Sequence, residues 1–173
     1  MQIRPSTNAD KESIRQLHLD AFDETEAESV AQLALDLLAD KSAEPLLSLV
    51  AIEQDRIIGH VLFTSIKIDN QNINGYIMAP LAVAPADHGK GVGSQLIKEG
   101  LLILRSRGTK VVLVLGDPNY YSRFGFKAGH KLKPPHDIAY PEAWMALELQ
   151  DSYLETLSGT VTCADSLNAK QHW

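Results

Sequence analysis

The chain has 173 residues, of which 45% are hydrophobic and 22% charged, a globular mixture that excludes a disordered or fibrous protein and suits one domain with a real core. A single cysteine, Cys163, excludes an internal disulfide and a multi-thiolate metal site. The longest apolar runs, such as Val111 to Leu115, fall far short of the roughly 20 residues that cross a bilayer, and no apolar signal segment follows Met1, so a cytoplasmic protein without a membrane partner is expected.

Net charge is -6, which argues against a nucleic-acid partner. The average conceals an asymmetry. From His88 to Lys133 nine lysines and arginines face only Glu99 and Asp117, whereas both flanks are acidic. Such a segment attracts anions, or is simply a solvated basic face.

Met1 to Pro5 reads as a strand, and Thr7 with Asp10 forms a capping pair for a helix to about Phe22 that turns Ile14, Leu17 and Ala21 inward. Val30, Leu33, Ala34, Leu37 and Leu38 set a second helix from Glu26 to Asp40. Leu46 to Glu53 and Ile57 to Ile68 make a hairpin across Gln54-Asp55-Arg56, with a bulge expected at Gly59. Asn70 to Asn74 is a polar turn, and Tyr76 to Val83 is the third strand of the meander, ended by Pro85.

Helical spacing then runs from Gly91 to Arg107, stopped by Gly108, and Lys110 to Leu115 is a buried strand, so this unit is a parallel crossover. A short helix from Asp117-Pro118 through Tyr121, a strand from Phe126 to Leu132 and another from Trp144 to Leu149 complete the pattern. The architecture is α+β: a mixed, mostly antiparallel sheet of six to seven strands, flanked by helices, with one βαβ crossover. Residues 1–150 form the domain, and the polar tail 151–173 is expected to be a surface appendage.

Between the third strand and the crossover helix stands Ala86-Asp87-His88-Gly89-Lys90-Gly91-Val92-Gly93-Ser94. Glycines at 89, 91 and 93 remove the Cβ atoms that would keep backbone N–H groups from converging on a ligand, and the helix start supplies unpaired donors, so an anion is expected. A flexible turn is the competing reading. The Walker pattern fails, because no Gly-Lys-Ser/Thr ends the spacer. A dinucleotide fingerprint fails as well: its third glycine is missing, Asp117 lies too far along, and too few strands remain for a doubly wound sheet. Nothing matches a serine nucleophile elbow or a zinc motif, and no metal is expected.

At these residues the chain resembles the GNAT superfamily of acyl-CoA-dependent N-acyltransferases, and within it the bacterial YhbS-like predicted acetyltransferases. Leu81-Ala-Val-x-Pro85 followed by His88-x-x-Gly91-x-Gly93 is similar to the family's pyrophosphate loop, and Leu115-Gly-Asp-Pro-x-Tyr-Tyr121-x-Arg-Phe-Gly-Phe126 to its later helix and strand. His88 departs from the family's usual Gln or Arg, which leaves the loop's backbone donors intact. The resemblance implies acetyl-CoA as co-substrate. Its pantetheine arm would add to the edge of Leu81, Ala82 and Val83, in a slot between splayed strands, and its diphosphate would rest on the N–H groups of His88, Gly89, Lys90, Gly91, Val92, Gly93 and Ser94.

The implied reaction is direct attack of a primary amine on the thioester in a ternary complex. Tyr121 matches the family's acid position; a phenol of ordinary pKa about 10 is protonated at neutral pH and can give its proton to the departing thiolate. Tyr120 reads as a packed aromatic. No general base is evident, since Tyr76 to Val83 holds no carboxylate or histidine. His60 and His136 are titratable but read better as satisfied or exposed side chains. Cys163 reads as an incidental thiol, and Arg123 and Lys127 as solvated charges. Asp20, Asp23, Glu24, Glu26 and Glu28 cluster where the first two helices meet, pointing to a cationic small-molecule or protein amine, or only to a solvated junction. Two other classes stay open: an acyl-CoA sensor of the same fold without turnover, and a nicotinamide-dependent oxidoreductase. The residues leave a homodimer open.

Overall fold

A computed structural model describes all 173 residues. Four helices and eight strands follow the chain as β1 (Gln2–Pro5), α1 (Lys11–Ala21), α2 (Glu24–Ala39), β2 (Leu47–Glu53), β3 (Arg56–Ile68), β4 (Gln71–Val83), α3 (Val92–Ser106), β5 (Val111–Leu115), α4 (Pro118–Tyr121), β6 (Leu132–Lys133), β7 (Trp144–Glu148) and β8 (Gly159–Thr162). The sheet runs β1-β2-β3-β4-β5-β7, and only the β4–β5 pair along this path is parallel. The expected meander and crossover are both present.

Strand alternation divides the core between two faces of the sheet. Val61, Phe63 and Met78 pack with Leu96, Ile97 and Leu104 of α3 on one face. Leu62, Ile66 and Ile77 pack with Leu33 and Leu37 of α2 on the other, while Ile14 of α1 meets Ala34 and Val50. The α1 start is built as expected: the Asp10 carboxylate accepts from the N–H and hydroxyl of Thr7, and Arg4 grips it with two further bonds at 2.8 and 2.9 Å. The bulge lies beside Gly59, where the register slips so that Gly59 faces Ala51 but Ile57 faces Ile52. A Cβ on Gly59 would stand 2.8 Å from Leu96 and Val92 side-chain carbons, so its absence lets α3 press against the sheet.

Three expectations are corrected. β4 begins at Gln71 rather than Tyr76, because Asp69 and Asn70, both at positive φ, make the whole turn in two residues. The strand expected over Phe126 to Leu132 shrinks to a single bridge between Lys127 and Ala146 and the two-residue β6. The tail is no surface appendage. Its β8 pairs antiparallel with the end of β3 and parallel with β6, and Val161, Cys163, Ala164 and Leu167 are buried. The Asp40 carboxylate, at the end of α2, accepts from both the N–H and the hydroxyl of Ser166, pinning the tail to the domain. No helix is long and apolar enough to cross a membrane.

Candidate active site

The parallel pairing of β4 with β5 covers only Gly75 to Ile77 against Val111 to Leu113. β4 continues for six further residues to Val83 without a partner on that side. The N–H of Ala84 goes to Ile58 on β3, so alternation turns the polar backbone groups of Leu81 and Val83 the other way, into the open slot. An exposed strand edge of this kind receives an extended, amide-bearing chain by β-addition.

The slot opens beside the α3 N-terminus. Gly89 and Gly91 hold φ of +75° and +80°, a region costly to residues with a Cβ, and a Cβ on either would point into open space. None of the N–H groups from Gly89 to Ser94 meets an acceptor in the protein; the first helical bond at this end is from Gln95 to Gly91. Six unsatisfied donors around a cradle in which Gly89, Gly91 and Gly93 carry no side chain fit a polyanion such as a diphosphate.

The loop is braced from its sides. His88 Nε2–H donates to the Val83 carbonyl at 2.8 Å, tying the loop to the strand edge. The buried Asp87 carboxylate accepts from Lys90 at 2.9 Å and has Arg56 at 3.7 Å. The hydrogen bond from Lys90, chiefly, holds that carboxyl below its usual range. Lys90 thus spends its charge on Asp87.

A cavity of about 460 Å³ contains nine of the ten residues expected at the cofactor, all but Lys90. It adds Ala21 and Phe22 from the end of α1, together with Tyr120 and Arg123. Arg123, its guanidinium 4.5 Å from the Tyr120 ring centre, is the one member of the basic stretch besides the loop's own residues to line it. Tyr120 is therefore more than a packed aromatic: a Cβ on Gly93 would lie 2.8 Å from its hydroxyl oxygen.

A second cavity, about 490 Å³, shares Phe22 and Leu81 with the first. Tyr121 lines it. Its ring rests on Gly116 and meets Phe126 edge-on at 6.0 Å, and its hydroxyl makes no hydrogen bond within the protein. Burial, chiefly, pushes the phenol up to about 12. Of the five acidic residues at the helix junction only Glu26 lines this cavity. Asp20 is engaged by Gln16 and Glu28 by Arg15 on the helix surface. The far wall comes from the tail, through Leu167, His172 and Trp173, and Trp173 is fixed by its indole N–H on the Leu167 carbonyl and its edge against Trp144.

The other candidates lie elsewhere. His136 donates to the Asn168 carbonyl and so tethers the tail. Burial pushes the Cys163 thiol up to about 12, which suits an inert core thiol. His60 is fully buried beside His18. Sequence reasoning missed Phe22, Tyr120, Arg123 and the tail wall. Arg123 alone left a signal, as a cation three residues after Tyr120.

A sheet opened along one parallel pair, with an anion cradle at its mouth and a proton-bearing phenol in the adjoining chamber, is the architecture of an acyltransferase. The model of the acetyltransferase (GNAT) domain matches residues 2–129. The chain is 41% identical over 128 residues to the N-acetyltransferase YjhQ of Escherichia coli (strain K12), covering 70% of each protein. Among solved structures, the GNAT family N-acetyltransferase YhbS from Escherichia coli, in complex with CoA, superposes with a TM-score of 0.89 at 32% identity, over 98% of this chain and 92% of that one. A GNAT family acetyltransferase from Brucella melitensis, in complex with acetyl-CoA, gives 0.78 at 29% identity over 96% and 97%. The chain therefore belongs to the GNAT acetyltransferase family, and its class is N-acetyltransferase.

Proposed function

We propose that the protein transfers an acetyl group from acetyl-CoA to a primary amine by direct attack in a ternary complex. The observation that carries this reading is the pair of cavities meeting at Phe22 and Leu81, one built for an extended polyanion and the other holding Tyr121. The two ligands of a direct transfer need such a shared border.

Acetyl-CoA supplies the acyl group already activated as a thioester. The N–H groups of Gly89 to Ser94 hold its diphosphate, Arg123 adds positive charge beside them, and the outward backbone groups of Leu81 with the N–H of Val83, whose carbonyl is taken by His88, fix its arm. Tyr121, protonated throughout the neutral range, gives its proton to the departing sulfur. Glu26 offers a carboxylate to an acceptor carrying positive charge, in a cavity lined mostly by apolar side chains together with Thr25, Ser29, Gln171 and His172. A sensor that never turns over has no use for the phenol.

The test is thermal stabilisation by acetyl-CoA, CoA and nicotinamide cofactors, in the wild type and in Gly91→Glu, whose side chain would fill the cradle. Saturation at 100 times the dissociation constant adds about 2.7 kcal/mol. Stabilisation by CoA species alone, lost in a folded Gly91→Glu, supports the reading, and an amine screen with Tyr121→Phe as control then separates enzyme from sensor. No response to any CoA species refutes it.

A further inference from the structure

The cofactor cavity and the acceptor cavity have two lining residues in common, Phe22 and Leu81. They come from different elements. Leu81 belongs to the β4 edge that receives the pantetheine arm, and its side chain packs against the core on the α3 face. Phe22 stands in the two-residue link, Phe22 and Asp23, between α1 and α2. The acyl carbon under attack has to stand at this border, because the donor fills one cavity and the acceptor the other. Carbons beyond the acetyl methyl extend past this pair into the acceptor's chamber.

The chamber makes a stop necessary there. Its lining is mostly apolar, with Val30, Leu33, Ile77, Leu115 and Leu167 among its walls. Burial of methylene groups in such a space is favourable, so an unhindered long acyl chain would be drawn in and would take the place of the amine.

Whether Phe22 can act as that stop depends on whether its ring yields. The ring is half-buried and backed from within the fold. His18, one helical turn earlier, stacks on it at 13° with centres 6.1 Å apart. That imidazole is 0% exposed and its Nε2 lies 2.9 Å from His60 Nδ1; His60, also 0% exposed, has its Nε2 3.0 Å from Ser48 Oγ. The two imidazoles cross at 86° with centres 5.1 Å apart, so β3 and β2 together hold the plane on which Phe22 rests. An interior packed to crystal density leaves no void into which such a ring could retreat. His18 Nδ1 is buried without a partner, a cost that an apolar side chain would avoid. What the imidazole offers in return is the bond to His60, which fixes its plane as no aliphatic side chain could.

We infer that Phe22 sets the acyl selectivity of the enzyme, admitting acetyl and turning longer chains away from the acceptor's chamber, and that His18 is the positioning residue that keeps its ring in place. The inference deepens the acetyltransferase reading and rests on it.

Titration calorimetry of the whole protein with acetyl-CoA, butyryl-CoA and hexanoyl-CoA tests this without an acceptor. Each variant is read as the ratio of its hexanoyl-CoA to its acetyl-CoA dissociation constant, which cancels changes at the cradle common to both ligands. In the wild type the ratio should be about 10 or more, and in Phe22→Ala it should fall to about 1 or below, since each methylene accepted by an apolar pocket is worth about 10-fold. His18→Leu leaves Phe22 untouched and concerns a residue that lines neither cavity; it should lower the ratio part of the way, with butyryl-CoA gaining before hexanoyl-CoA. Should Phe22→Ala fail to fold, Phe22→Leu, whose chain can turn aside, should move the ratio in the same direction. A wild type that binds hexanoyl-CoA as tightly as acetyl-CoA would overturn the proposal, and so would a ratio that the Phe22 variants leave unchanged. A ratio lowered by the Phe22 variants but not by His18→Leu would overturn the role given to His18. Failure of every CoA species to bind would refute the parent reading instead.

Discussion

The ring of Tyr121 rests directly on Gly116: a Cβ built on that glycine would overlap Tyr121 Cε2 and lie 3.0 Å from Cδ2. The backbone there cannot readily yield, since the Gly116 N–H is bonded to the Ala143 carbonyl at 3.0 Å. In Gly116→Ala the ring must move instead. A displacement of about 1 Å at a reacting group can cost about 100-fold in rate. We expect Gly116→Ala to lower kcat by one to two orders of magnitude, roughly, while stabilisation by CoA is kept, because the cradle lies on another element. Loss of CoA stabilisation along with kcat would show that Gly116 supports the whole slot and not the phenol.

Tyr121→Phe removes the proton donor while keeping the ring against Gly116 and Phe126. The expected outcome is a fall in kcat of about 100-fold or more with KM for acetyl-CoA little changed. The pH profile carries a second check. A group that must be protonated loses function as pH rises through its pKa, and burial has raised that of Tyr121 to about 12. The wild-type rate should therefore show no alkaline fall from this group up to about pH 11. A fall centred near 10, the ordinary phenol value, would mean that Tyr121 is not desolvated in the working complex.

Tyr120 and Gly93 make a complementary pair at the cradle. A Cβ on Gly93 would stand 2.8 Å from the Tyr120 hydroxyl oxygen, closer than a carbon and oxygen pack. Gly93→Ala should weaken CoA binding by pushing Tyr120 and the Arg123 stacked on it out of line. Removing the hydroxyl in Gly93→Ala/Tyr120→Phe should recover most of the loss. Titration calorimetry with CoA on the two single variants and the double variant reads this directly. Losses that simply add would show that the residues do not act on one another.

The parts of this molecule legible in its sequence are those set by local chemistry. Helix periodicity, the Thr7 to Asp10 cap and the glycine spacing at 89, 91 and 93 each depend on neighbours within a few residues, and each stands where expected. The tail was misread because Val161, Cys163, Ala164 and Leu167 follow no helical or strand period long enough to register; their burial depends on β3 and α2, about a hundred residues earlier. The same distance effect hid the second cavity, whose walls come from α2, β4 and the tail. His18 and His60 are 42 positions apart, and no spacing rule joins them. Asp20, Asp23, Glu24 and Glu28 show the opposite error. Proximity in sequence suggested a shared site, yet helix geometry turns only Glu26 to the cavity.

The buried pair also sets how the fold responds to acid. The folded-state pKa of His18 is lowered from 6.5 to about 4, and that of His60 lies well below 6.5, with burial the leading cause for both. A group depressed on folding is bound by fewer protons in the native state than in the unfolded chain. Its contribution is therefore fully present above about pH 6.5 and is lost as pH falls through the folded value. Between about pH 6 and 4 each histidine should lower the unfolding free energy by up to about 1.4 kcal/mol per pH unit. Urea titrations of the wild type and of His18→Gln/His60→Gln across this range check it. The double variant can keep hydrogen bonds without a titrating ring, so its unfolding midpoint should vary less steeply with pH. Equal slopes would mean that the rings are already protonated in the native state, and would contradict the neutral pair on which the acid sensitivity depends.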